Sequence, residues 1–183
     1  KIAESLKIKR VVSTDSIREV LRSNIDPLES PELHRSSFSI GKNKHPVSDW
    51  EDCCNVVLGG INSIIDKSRR EGVDLILEGV HLKPDNQIIR KWEEEGGVAV
   101  GVILYVHNEE SHKEMLVLRE KETWRNVDRY LSSFKNIRLI QNGVLDIGRP
   151  QNWKTIDLST GKNAVNEIAH WFDLEWNKAE HNS

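Results

Sequence analysis

Two continuous apolar runs, Val73 to Leu77 and Val98 to Val106, limit what this chain can fold into more than any other feature. A strand with one wet face alternates apolar and polar residues. A run without alternation must be covered on both faces, as strands are in a parallel sheet flanked by helices. Lys9 to Ser13 and Trp153 to Leu158 read as two further short strands. Helical periodicity fills the intervals. From Asp49, a plausible cap, Trp50, Cys53, Cys54, Val57, Leu58, Ile61, Ile64 and Ile65 recur on a helical stripe that ends near Gly72. Pro84 to Gly97 carries Ile88, Ile89 and Trp92 at the same spacing. His112 to Leu139 reads as a charged helix broken around Thr123 to Asn126, and Asn163 to Phe172 as a closing helix with Val165, Ile168, Ala169 and Phe172 inward. Four strands alternating with such helices predict a single α/β domain with a mostly parallel sheet covered on both faces.

Composition excludes several function classes. A charged fraction of 30% and a net charge of −3 lack the basic excess of a protein built around duplex nucleic acid, so any anion site must be local. The longest apolar runs are too short to span a bilayer and no signal-peptide pattern opens the chain, which leads to the expectation of a cytoplasmic protein that binds no membrane. Cys53 and Cys54 are the only cysteines; as neighbours on a helix they diverge by about 100°, a poor disulfide geometry, and are expected as reduced thiols. No spacing resembles a zinc site. The chain starts at Lys1 and its only methionine is Met115, so a further segment is expected ahead of Lys1.

The chemistry concentrates where the first strand stops. Val11 and Val12 run into Ser13, Thr14 and Asp15, and Ser16 followed by Glu19 has capping-box spacing, which predicts a helix beginning at Asp15 or Ser16. Asp15 then sits at the carboxyl end of a strand, where open α/β sheets place their ligands. Arg18 and Arg22, four residues apart, share one helical face. One acid and two guanidinium forks suit a phosphorylated substrate with a hydroxyl to be deprotonated. The plainer reading is a helix cap with two solvated arginines. Glu78 closes the Asp74 to Leu77 run in a Walker-B-like pattern, an apolar strand and then an acid, against which stands a simple cap of the Gly79 turn.

Ser13 to Arg22, Pro31-Glu32-Leu33-His34-Arg35-Ser36-Ser37, Leu77-Glu78-Gly79-Val80-His81, His112, Arg119 to Thr123, Arg129-Tyr130-Leu131 and Ile137 to Gln141 follow one another in an order that resembles the 2-phosphoglycerate kinase family of P-loop kinases. Plant proteins related to phytic-acid metabolism share these motifs. The resemblance implies a P-loop kinase-like three-layer sandwich, with a substrate flap over about residues 24–48 and a lid over about 107–135. It also implies ATP and Mg²⁺ as cofactors. Asp15 would orient the acceptor hydroxyl or hold a magnesium-bound water, and Glu78 would face the metal shell. Arg18, Arg22, His34 and Arg35 would contact the acceptor phosphate. His81 would touch the acceptor or serve the structure alone. Arg119, with Arg125 and Arg129, would close over the transferring phosphoryl group; without the resemblance these are a solvated charged helix.

One departure matters. No Gly-x-x-x-x-Gly-Lys-Ser/Thr occurs anywhere in the 183 residues: Gly59-Gly60 falls inside the expected core helix, and Gly161-Lys162 is followed by Asn163. The first strand and phosphate loop of such a kinase are therefore expected to be absent from this chain. The function implied is phosphoryl transfer from ATP to the alcohol group of a small phosphorylated hydroxy acid, foremost 2-phosphoglycerate giving 2,3-bisphosphoglycerate. A kinase for an inositol phosphate or another phosphorylated polyol, and a non-catalytic binding module of the same fold, are the alternatives.

Overall fold

The computed structural model describes residues 1–123 and 127–181, without the side chains of residues 119–123, 127 and 129. Among the described residues the elements alternate as the apolar runs require. They are α1 (Ile2–Ser5), β1 (Arg10–Ser13), α2 (Thr14–Asn24), α3 (Pro31–His34), α4 (Pro46–Glu71), β2 (Leu75–Glu78), α5 (Asn86–Glu93), β3 (Val102–Tyr105), α6 (Glu109–Thr123), α7 (Val127–Ser132), α8 (Phe134–Gly148), β4 (Lys154–Asp157) and α9 (Ala164–His181). None of the helices is long and apolar enough to cross a membrane.

All described pairings are parallel, but they form two separate pairs rather than one sheet. β1 runs beside β2 with Arg10 opposite Leu75 and Ser13 opposite Glu78. β3 runs beside β4 with Val102 opposite Lys154 and Tyr105 opposite Asp157. The expected strand over 98–106 shortens at its start. Gly101 lies against the Trp153 ring, so close that a Cβ there would collide with it, and its carbonyl accepts from the Lys154 amide.

The core of the β1/β2 half is the stripe of α4. Cys53, Val57, Ile61 and Ile65 pack with Ile17 of α2 and Leu33 of α3, and Val12, Leu75 and Leu77 lean on them from the strands. Burying each such aliphatic side chain is worth about 1.5–3 kcal/mol. A second cluster joins Trp50 and Cys54 to Ile140 of α8, and a third joins Ile103, Leu145 and Trp153 in the β3/β4 half. Gly72 ends α4 in the left-handed region at φ 60°, a position that favours glycine because it lacks a Cβ.

Several local expectations shift. α2 begins at Thr14, one residue earlier than the capping-box spacing suggests, because Ser13 is the cap and its hydroxyl accepts from the Asp15 amide. α4 starts at Pro46, so Asp49 lies within its first turn. α8 runs past Leu139 to Gly148. α9 extends to His181, past the expected end at Phe172, and no residue in it is fully buried, so Val165, Ile168, Ala169 and Phe172 are not the closed core face the pattern suggests.

Candidate active site

The carboxyl ends of β1 and β2 are joined by a short polar lattice. Gly79, at φ 132°, lets the chain after β2 press against Thr14; a Cβ there would overlap the Thr14 hydroxyl. That hydroxyl, fully buried, accepts from the His81 amide at 3.3 Å. The His81 side chain is thereby fixed beneath the start of α2. That side chain is fully buried and has three polar neighbours. Nε2 is hydrogen-bonded to Ser37 Oγ at 2.8 Å. Nδ1 lies 3.2 Å from Asp15 Oδ1, near enough for charge attraction but without the alignment of a hydrogen bond. The Cys53 thiol is the third. Burial works against the imidazolium, but Asp15 and Cys53 outweigh it and hold the His81 pKa above the ordinary histidine value.

Ser37 reaches His81 because the 25–45 segment is fastened over the strand ends. Arg18 donates to the carbonyl of Leu33 at 2.6 Å and to that of Arg35. Arg35 donates to the carbonyls of Ser39, at 2.9 Å, and Asp49. His34 Nε2 is hydrogen-bonded to the Ile25 carbonyl at 3.0 Å. Asp49 is the anchor: fully buried, it accepts from the amides of Gly41 at 2.7 Å and Asn43 at 3.0 Å. Burial pushes its carboxyl up, yet those amides and the Arg35 guanidinium hold it below the usual aspartate value. Lys42 pairs with Glu32 at 2.9 Å on the outer side and keeps that carboxyl low as well.

Of the residues singled out from the sequence, Asp15 and His81 are thus brought together. Glu78 ends β2 beside them in the chain and is exposed. Arg18 and Arg35 donate to backbone carbonyls and His34 Nε2 bonds to one, contacts that helical spacing does not reveal. Arg22 points out and pairs with Glu19 at 2.6 Å. Arg119 lies on α6 and Arg129 on α7, their side chains outside the description, and Arg125 lies outside the described residues.

The end of β3 is built differently. Gln141 of α8 accepts from the Val106 amide at 2.9 Å and donates to the Val106 carbonyl at 3.1 Å, pairing with that residue as a neighbouring strand would. Arg138 donates to the carbonyls of Val106 and, at 3.0 Å, His107, and lies 3.4 Å from His112 Nδ1. Burial and the adjacent guanidinium both lower the His112 pKa. Asp157, at the end of β4, accepts from the His107 amide at 3.0 Å and from Ser159. Sequence reasoning gave Ser37, Thr14, Arg138 and Asp157 no role. Ser37 and His81 are 44 residues apart, a distance at which no periodicity speaks.

A parallel-stranded α/β chain with an acid and a histidine at adjoining strand ends, roofed by its own loop, is the class the geometry defines. Comparison with known proteins makes it particular: over most of its length the chain is related to the 2-phosphoglycerate kinase family. It is 32% identical over 163 residues to the 2-phosphoglycerate kinase of Methanocaldococcus jannaschii, covering 85% of this chain and 52% of that one. The Methanococcus vannielii protein of the same name is 34% identical over 168 residues, covering 85% and 53%. That of Pyrococcus horikoshii is 31% identical over 174 residues, covering 91% and 56%. The chain therefore spans about half the length of the curated relatives it matches. No family model matches it, and no solved structure does.

Proposed function

We propose that these residues form the acceptor side of an ATP-dependent kinase that phosphorylates the alcohol group of a small phosphorylated hydroxy acid, with 2-phosphoglycerate as the substrate and 2,3-bisphosphoglycerate as the product. The observation that carries this reading is Asp15 beside His81 at the joined ends of β1 and β2. The names of the relatives support it. Phosphoryl transfer asks the protein for a donor cradle, positive charge and an oriented acceptor. Asp15 and His81 supply the last, at the strand ends where ligands of open sheets bind.

The segment 24–48 is the flap over that acceptor, and 107–135, with Arg119, Arg125 and Arg129, is the lid. Arg18, His34 and Arg35, bonded to backbone carbonyls, would hold that flap closed. Arg22, on the outer face of α2 and paired there with Glu19, is the remaining fork for the acceptor phosphate. For Mg²⁺ the donor set fits in part. Among the described residues no three His, Cys, Asp or Glu side chains cluster as a self-sufficient metal site. Magnesium, however, is commonly held by one or two carboxylates together with substrate phosphates and water. Glu78 and Asp15 would hold it, and the ion would neutralise phosphate charge. No phosphate-loop motif occurs in the 183 residues, so the loop and the strand feeding it would come from a segment outside them. That strand would lie between the two parallel pairs.

Asp15→Asn in the complete protein tests the reading. Turnover with ATP and 2-phosphoglycerate should fall by about 10²- to 10⁴-fold while ATP affinity holds. Unchanged turnover would leave Asp15 as a structural partner of His81. A non-catalytic binding module of the same fold is the second reading. A complete protein that binds 2-phosphoglycerate but transfers nothing from ATP would establish it.

A further inference from the structure

Ser37 is the one hydroxyl that meets the buried His81 ring from the flap side, and the kinase reading leaves it without a task. The imidazole is held from behind: its backbone by the Thr14 hydroxyl, its Nδ1 edge by Asp15, its flank by Cys53. Only Nε2 faces the flap, and Ser37 Oγ occupies it at 2.8 Å. A serine side chain is a primary alcohol on one carbon. So is the hydroxyl end of a phosphorylated hydroxy acid such as 2-phosphoglycerate.

We infer that Ser37 is a stand-in for the acceptor: His81 Nε2 is the subsite for the acceptor's primary hydroxyl, and binding of the acceptor displaces Ser37 from it. The inference rests on the proposed function and names which atom of the site reads the substrate. The large majority of buried polar atoms are hydrogen-bonded, and Nε2 is the nitrogen of this ring that has a hydrogen-bonding partner. With the flap shut and no acceptor, Ser37 provides it; with acceptor bound, the substrate hydroxyl does. The consequence is competition between flap and substrate for one nitrogen. His81 therefore discriminates between acids that carry the hydroxyl and those that do not, because a site built around a hydroxyl is left unpaired by an analogue lacking it. The backbone fastenings from Arg18, Arg35 and Asp49 hold the rest of the flap while this one contact exchanges.

The experiment uses the complete protein and two ligands: 2-phosphoglycerate, and 2-phospholactate, the same acid without the terminal hydroxyl. Calorimetry gives both affinities for the wild type, Ser37→Ala and His81→Gln. Removing the competing hydroxyl should tighten 2-phosphoglycerate about three- to tenfold in Ser37→Ala, the worth of one hydrogen bond. ATP binding should be unchanged. In His81→Gln the preference for 2-phosphoglycerate over 2-phospholactate should shrink, and retained ATP binding would report that the variant is folded. Should His81→Gln not fold, the Ser37→Ala arm decides alone. A Ser37→Ala protein that binds 2-phosphoglycerate as the wild type does, or more weakly, overturns the stand-in role and leaves the kinase reading intact. A wild type that binds neither acid overturns the proposed substrate, and the inference falls with it.

Discussion

Each pair of parallel strands ends beside one buried histidine, and the two rings are pushed in opposite directions. His81, after β2, faces the Asp15 carboxylate and the Cys53 thiol and is held above the ordinary value. His112, at the start of α6 after β3, is lowered by burial and by the Arg138 guanidinium. The two halves share a strand arrangement and differ in what their side chains bond to. Around β1 and β2 the cations fasten a long covering segment, and one polar contact from it, Ser37 to His81, reaches the buried ring. Around β3 and β4 the polar side chains close the strand ends themselves: Gln141 pairs with Val106, and Asp157 ties His107. In the first half the polar side chains fasten a roof over the strand ends; in the second they bond to the strand ends directly.

The largest stability effect should come from the two anchoring carboxylates, taken as a pair. Asp49→Ala leaves the Gly41 and Asn43 amides without their buried acceptor, at about 1–3 kcal/mol each and about 2–6 kcal/mol together. Asp157→Ala breaks bonds of the same kind at a half-exposed site, where water can replace the lost acceptor, and should cost about 1 kcal/mol. Denaturant unfolding of both variants measures the difference, and equal losses would erase the contrast between the halves. Because the folded Asp49 value lies below the ordinary aspartate value of 3.8, its contribution is complete above that pH and is lost as pH falls through the lowered folded value.

Stability against pH sharpens the comparison with a smaller signal. For His81 the folded value is raised, so between 6.5 and that value the native state holds more protons than the unfolded one. Its contribution is complete below pH 6.5 and is lost as pH rises through the folded value. For His112 the folded value is lowered, so below 6.5 the unfolded state takes up the proton first and stability falls with falling pH. Profiles of His81→Gln and His112→Gln minus wild type should slope in opposite directions on the two sides of pH 6.5. Parallel profiles would mean that the Asp15 and Arg138 partners do not act on the rings as placed.

Much of the fold was legible in the apolar runs. Unalternating Val73 to Leu77 and Val98 to Val106 demanded parallel strands under helices; β2 ends one residue past the first run, and β3 lies inside the second but starts four residues later. The stripe from Trp50 to Ile65 marked the helix that carries the core, with Gly72 as its stop. The division of the strands into two pairs was not legible as such, since a run of apolar residues states that a strand is covered without naming its neighbour. At the site, Asp15 could be picked out because it follows a strand at a place where open sheets bind ligands, and His81 only through the family resemblance. The work of Arg18 and Arg35 could not, because a guanidinium bonded to a carbonyl 14 to 17 residues away depends on the path of the loop and not on its composition. Ser37 was hidden for the same reason.

The smallest expected effect separates two arginines that the sequence treats alike. Arg18 and Arg22 lie one turn apart on α2, but Arg18 is tied to Leu33 and Arg35 under the flap, whereas Arg22 sits at the surface beside Glu19, three residues away. An exposed pair of this kind is worth about 0.2–1 kcal/mol at most and is weakened by salt. Arg22→Ala should therefore shift the unfolding free energy by no more than about 0.5 kcal/mol, and the shift should vanish in high salt. A larger, salt-insensitive loss would place Arg22 among the flap fastenings and remove the distinction. If the small value holds, Arg22 becomes the clean probe of acceptor binding. Any weakening of 2-phosphoglycerate affinity in that variant would then report a lost phosphate contact, unmixed with the loosened flap that an Arg18 substitution would bring.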